Sequence, residues 1–132
     1  MCHAPATLLL VDDYPDTLEM WTLYLRSRGY RVLTADNGLD AVDIATAELP
    51  SLVILDLDLP GLSGYEVARR LRGGPPTSAI PLIAATGHSD DRRAAEATRA
   101  GFTSILVKPC EPEGLVRVIE SMLAARPSSE QS

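Results

Sequence analysis

Long apolar runs are missing from this chain: no stretch approaches the roughly 20 residues that a membrane-spanning helix needs. Also missing is a basic opening followed by a long apolar segment, so no secretory signal is read and the expected location is the cytoplasm. Basic side chains are scarce and scattered, with 12 Lys and Arg against 18 Asp and Glu, a net charge of −6 and a pI of about 4.8. A chain that grips nucleic acid by its phosphates carries a basic stripe. None is present, and direct nucleic-acid binding is not expected. Cysteine is limited to Cys2 and Cys110, far apart and without the spacing of metal ligands. Two free thiols in a reducing compartment are the expected state.

What is there suits one compact domain. The chain has 132 residues, of which 45% are hydrophobic and 23% charged, enough to bury one continuous core. Five apolar runs, Thr7–Val11, Arg31–Ala35, Leu52–Leu55, Ile80–Ala85 and Ser104–Val107, alternate with five amphipathic stretches. The first, third and fourth runs are apolar throughout, the pattern of strands covered on both faces in a parallel sheet. Arg31–Ala35 is more mixed, as an edge strand is.

Between the runs, helical spacing recurs. Pro15 suits a first helical turn, Leu18, Trp21 and Leu25 line one face, and Gly29 ends the segment. Leu115, Val118, Ile119, Met122 and Leu123 mark a final helix opened by Pro112. Asn37-Gly38 and Gly73-Gly74-Pro75-Pro76 read as turns. The domain is expected over 6–125, with a short extension at 1–5 and a loose tail at 126–132. Strand and helix alternating in this way give an α/β fold, a doubly wound parallel sheet that binds ligands at the carboxyl ends of its strands.

Polar residues collect at that edge. Asp12 and Asp13 follow the first run, Asp56 ends the third, Thr86 the fourth and Lys108 the fifth. Carboxylates brought together repel one another unless a cation is present. Hard oxygen donors in a small hydrated site suit Mg²⁺. Asp56 has the chemistry of a carboxylate nucleophile toward phosphorus, and the Lys108 ammonium and Thr86 hydroxyl can meet phosphoryl oxygens.

Four segments carry a family resemblance: Leu-Leu-Val-Asp-Asp at 9–13, Leu-Val-Ile-Leu-Asp-Leu-Asp-Leu-Pro-Gly-Leu-Ser-Gly at 52–64, Ala-Ala-Thr-Gly at 84–87 and Leu-Val-Lys-Pro at 106–109. In order and spacing they resemble response-regulator receiver domains over roughly residues 6–125. The resemblance implies a flavodoxin-like sheet of five strands in order 2-1-3-4-5 with five helices. It implies that Asp56 accepts a phosphoryl group from a phosphohistidine, that Asp13 ligates Mg²⁺ directly and Asp12 through water, and that Asp58 lends its backbone carbonyl. Lys108 then contacts the phosphoryl group, and Thr86 moves toward it on activation. The partners implied are a histidine kinase or histidine phosphotransfer protein and a downstream protein, with no membrane and no nucleic acid contacted directly. The domain is a signalling phosphoacceptor rather than an enzyme, catalysing its own phosphorylation and dephosphorylation.

Departures from the family pattern matter for the output. Receivers that drive transcription carry an aromatic three residues before the motif lysine, where this chain has Ile105. Phe102 reads as core packing instead. Asp58 and His88 stand where family members tune phosphoryl lifetime, although a plain exposed loop histidine fits His88 equally well. Trp21 and Cys110 read as packing residues. Two other classes compete. A haloacid-dehalogenase-type phosphatase shares the run Ile54-Leu55-Asp56-Leu57-Asp58, but places that motif on its first core strand. A flavodoxin-type flavin binder needs a hydroxyl- and glycine-rich loop where this chain has Asp-Asp-Tyr-Pro-Asp.

Overall fold

Each of the five apolar runs forms a strand, and each stretch between them forms a helix. The computed structural model describes residues 6–59, 61–87, 90–107 and 112–125. The order is β1 (Thr7–Val11), α1 (Pro15–Ser27), β2 (Arg31–Ala35), α2 (Gly38–Glu48), β3 (Leu52–Asp56), α3 (Gly64–Gly73), β4 (Leu82–Thr86), α4 (Asp91–Ala100), β5 (Ser104–Val107) and α5 (Pro112–Ala125). All pairings are parallel and the sheet runs β2-β1-β3-β4-β5, the expected fold with the mixed strand β2 at one edge. The extension at 1–5 and the tail at 126–132 lie outside the described residues.

The central strands are buried on both faces because helices cover both. Leu9, Val11, Val53 and Leu55 face α2, α3 and α4, and join Ala41, Ala45, Val67, Leu71 and Ala97 in one cluster. Leu8, Leu10, Leu52 and Ile54 point the other way, onto Trp21 and Leu25 of α1 and Leu115 and Ile119 of α5. Alternation along each strand therefore feeds two cores on either side of one sheet. Phe102 and Trp21 are buried, as their packing assignment requires.

Local chemistry sets the helix ends. Pro15 is the first residue of α1, and Gly29 follows its end at φ 95. Asn37, expected in a turn, caps α2 by accepting from the Asp40 amide at 2.9 Å, so this turn is a helix start. Ser63 and Asp90 cap α3 and α4 in the same way. The fourth apolar run begins two residues early in the sequence reading: β4 starts at Leu82, not Ile80. The Ile80 carbonyl is taken by the Arg72 guanidinium at 2.6 Å and its amide by the Thr77 carbonyl at 3.1 Å, which holds it in the preceding turn.

Candidate functional site

Parallel strands all end on one edge, so the residues that finish them become neighbours. Val11 pairs with Leu55, Asp56 with Ala85 and Thr86 with Val107. This register sets Asp12, Asp56 and Thr86 side by side along the carboxyl edge. Carboxylate oxygens of Asp12, Asp13 and Asp56 lie within 4.8 Å of one another. Asp12 and Asp56 are 4% and 6% exposed and Thr86 is 1% exposed, whereas Asp13 faces solvent.

Backbone amides fix the buried acids. Asp12 donates its own amide to the Ala35 carbonyl at 3.2 Å and accepts from the Tyr14 amide at 2.9 Å on Oδ1. Asp56 accepts from the Asp58 amide at 2.9 Å on Oδ1. The turn beyond it is pinned by Leu57 N–H to the Ala85 carbonyl at 2.9 Å and Gly64 N–H to the Leu57 carbonyl at 3.2 Å. Each orienting bond spares a buried acceptor the cost of standing unpaired.

The donor set fits a small hard cation. Ligand oxygens placed across an octahedral Mg²⁺ stand about 4 Å apart, and such an ion binds through one or two carboxylates while retaining water. Two buried carboxylates beside an exposed one meet that need. Trp21, the chain's one tryptophan, lines a cavity of about 30 Å³ together with Asp12, and so sits beside this cluster.

One further residue at this edge has no motif in the sequence to mark it. Arg93, in the first turn of α4, donates through Nη2 to Thr86 Oγ1 at 3.1 Å and to Asp58 Oδ1 and Oδ2 at 3.1 and 3.3 Å. Its side chain is 24% exposed and that of Asp58 63%. Burial alone lowers the guanidinium pKa, but the hydrogen bond and charge of Asp58, with Tyr65 and Asp90, outweigh it and the pKa is raised. Tyr65 of α3 has its phenol pKa raised, first by burial and further by Glu96, Asp58 and Asp90, against a lowering by Arg93.

Of the residues singled out in the sequence, Asp12, Asp13, Asp56 and Thr86 meet at this edge, and Asp58 borders it with its side chain turned to Arg93. Ile105 is half-buried against the α2–α3–α4 core. Lys108, His88 and Cys110 lie outside the described residues.

The family profile for the response regulator receiver domain matches residues 8–120. The chain belongs to the response regulator receiver family. This receiver is 37% identical to protein PilH of Pseudomonas aeruginosa over 119 residues, covering 90% of this chain and 98% of PilH. Vibrio cholerae chemotaxis protein CheY4 superposes with a TM-score of 0.86 at 29% identity, covering 89% of this chain and 98% of that one. The receiver domain of the sensor histidine kinase PA1611 of Pseudomonas aeruginosa, solved with magnesium coordinated in its active-site cleft, gives 0.86 at 30% identity, covering 92% and 100%.

As a receiver, the chain is a signalling component of two-component systems, and the phosphoacceptor role is standard for the family. The phosphatase and flavin-binding readings are set aside by this membership. Receiver domains bind Mg²⁺ at their acidic site and interact with histidine kinases and downstream effectors. Among the described residues, no helix is long and apolar enough to cross a membrane.

Proposed function

We propose that Asp56 is the phosphoacceptor of this receiver, taking a phosphoryl group from the phosphohistidine of a histidine kinase or histidine phosphotransfer protein in the cytoplasm. The observation that carries the assignment is the meeting of Asp12, Asp13 and Asp56 carboxylates within 4.8 Å at the strand edge, with Thr86 ending the adjacent strand. An Asp56 Oδ forms the new bond to phosphorus while the P–N bond breaks, and the imidazole nitrogen leaves with the electron pair. Asp12, Asp13, Asp56 and the Asp58 carbonyl would hold Mg²⁺, which when bound supplies positive charge against the phosphoryl oxygens.

The chain's own groups do the rest. The Asp58 amide holds Asp56 Oδ1 at 2.9 Å and so orients the carboxylate for the attack. Thr86 donates its hydroxyl to one phosphoryl oxygen and Lys108 neutralises another. The same groups assist hydrolysis of the acyl phosphate, with Asp58 and His88 setting how long it lasts. Residues 6–125 act as the folded unit, and the output is contact with a downstream protein through the face around α4, β5 and α5.

Incubation with a small phosphodonor and Mg²⁺, followed by intact mass, tests the assignment. One phosphoryl group on the wild type, none on Asp56→Asn and none with a chelator are expected. A chelator-insensitive adduct, or an equal adduct on Asp56→Asn, would refute it. Emission of Trp21 gives an independent reading of cation binding beside Asp12.

A further inference from the structure

The fourth helix is held unusually lightly. Its sequence, Asp-Arg-Arg-Ala-Ala-Glu-Ala-Thr-Arg-Ala, contains no apolar side chain larger than alanine, and it buries only Ala97 and Ala100. Elements with so little buried apolar surface open at low free energy. Across the seam to α3 the ion pair is Arg69 to Glu96 at 3.7 Å, and both side chains are about half exposed. Pairs of that kind contribute little.

Among the described residues, the side chain that ties the first turn of α4 to the acidic edge is Arg93. Arg93 Nη2 is shared between Thr86 Oγ1 and the Asp58 carboxylate, and the Arg93 amide donates to the capping Asp90 at 2.9 Å. A cation near a helix N-terminus opposes the helix dipole, so this position is unfavourable for arginine without its acidic partners. The arrangement also leaves polar groups stranded. Arg93 Nε and Tyr65 Oη are buried with no hydrogen-bond partner among the described residues. Unpaired buried donors on both sides of one seam mark it as a place where a second arrangement costs little extra.

We propose that Arg93 is a positioning residue that couples Thr86 to α4, so that a phosphoryl group on Asp56 loosens the first turn of that helix. The inference rests on Asp56 being the phosphoacceptor. Phosphorylation replaces the single carboxylate charge of Asp56 by nearly two on the phosphoryl oxygens, beside the Asp58 amide that is hydrogen-bonded to Asp56. Thr86 turns its hydroxyl to the new oxygens, and the oxygen that Arg93 holds moves away. Arg93 is then left with a largely exposed Asp58, a pairing too weak to fix the turn. This route needs no aromatic on β5, where the chain has Ile105.

Amide hydrogen exchange over 91–96, measured on the intact protein before and after phosphorylation, tests the coupling. Intact mass is taken on the same samples. In the wild type, phosphorylation is expected to speed exchange there about fivefold. In Arg93→Ala the unphosphorylated protein already exchanges at about that faster rate, phosphorylation adds less than about twofold, and one phosphoryl group still forms. Arg93→Lys keeps the charge but not the fork that spans two acceptors, and falls between them. Should either variant show the full wild-type response, or the wild type show none, the coupling is wrong. A wild type that takes no phosphate is a failure of the acceptor assignment itself, and the mass spectrum identifies it before any exchange is measured.

Discussion

Replacing Gly64 by alanine tests how closely the third helix is built onto the acceptor strand. Gly64 opens α3 directly against the turn that follows Asp56. A Cβ at this position would press on the Asp56 carbonyl oxygen, lie 2.8 Å from Leu57 Cα and 3.1 Å from the Asp56 carbonyl carbon. Ordinary carbon contacts are about 3.5–4.0 Å, so the backbones must part by nearly 1 Å. β3 is hydrogen-bonded on both sides and gives little, so α3 must retreat. That movement strains the Gly64 N–H bond to Leu57 and the packing of Val67, Ala68 and Leu71, all within 1% of complete burial. Overpacking of this kind costs roughly 1–3 kcal/mol, and weakening the hydrogen bond adds about 1. Alanine's better helix propensity returns up to about 1 kcal/mol. The net expectation is a loss of about 2–3 kcal/mol. With a urea slope of about 2 kcal/mol/M for a small domain, the midpoint falls by about 1–1.5 M. Urea titration of wild type and Gly64→Ala, followed by far-ultraviolet circular dichroism, measures it. A midpoint within about 0.2 M of wild type would refute the claimed close approach of the two backbones.

Two further substitutions probe the frame. Arg72 donates to the Gly101 carbonyl through Nε and Nη2 at 3.0 and 2.6 Å, and through Nη1 to the Ser78 and Ile80 carbonyls at 2.8 and 2.6 Å. Arg72→Ala strands these carbonyls at the joint between α3, β4 and α4 and should cost about 2–4 kcal/mol in urea unfolding. A loss below about 0.5 kcal/mol would show that water replaces the guanidinium. Leu49 ends α2 in the left-handed region at φ 49 and is 51% exposed. Leu49→Gly relieves that conformation at little cost in packing, and should raise the melting temperature by about 2–4 °C; a fall would overturn the strain argument.

The fold was legible because its signals are redundant. Leu8–Val11 and Leu52–Leu55 are too apolar for surface strands, and Pro15, Gly29 and Pro112 punctuate the helices where the structure has their ends. Asp12, Asp13, Asp56 and Thr86 were legible for a related reason: in a parallel sheet, position at a strand's end is also position in space. Arg93 was not. It stands in Asp-Asp-Arg-Arg, which reads as a solvated charge run, and its partner Asp58 is 35 positions away. Only the crossover between β3 and β4 brings the two together, and no periodicity encodes that. A faint signal did exist, a cation in the first turn of a helix where the dipole disfavours it. Asn37-Gly38 misled in the opposite sense, since the residues that favour a turn also favour a helix cap.

The most direct test of the central claim is to find the phosphoryl group on the chain. Borohydride reduces an aspartyl phosphate to homoserine, leaving a permanent mark at the acceptor. After treatment with a small phosphodonor and Mg²⁺, peptide mass mapping should show homoserine at position 56 alone. Homoserine at Asp12, Asp13 or Asp58, or an unmodified Asp56 in protein that carries phosphate, would contradict the assignment.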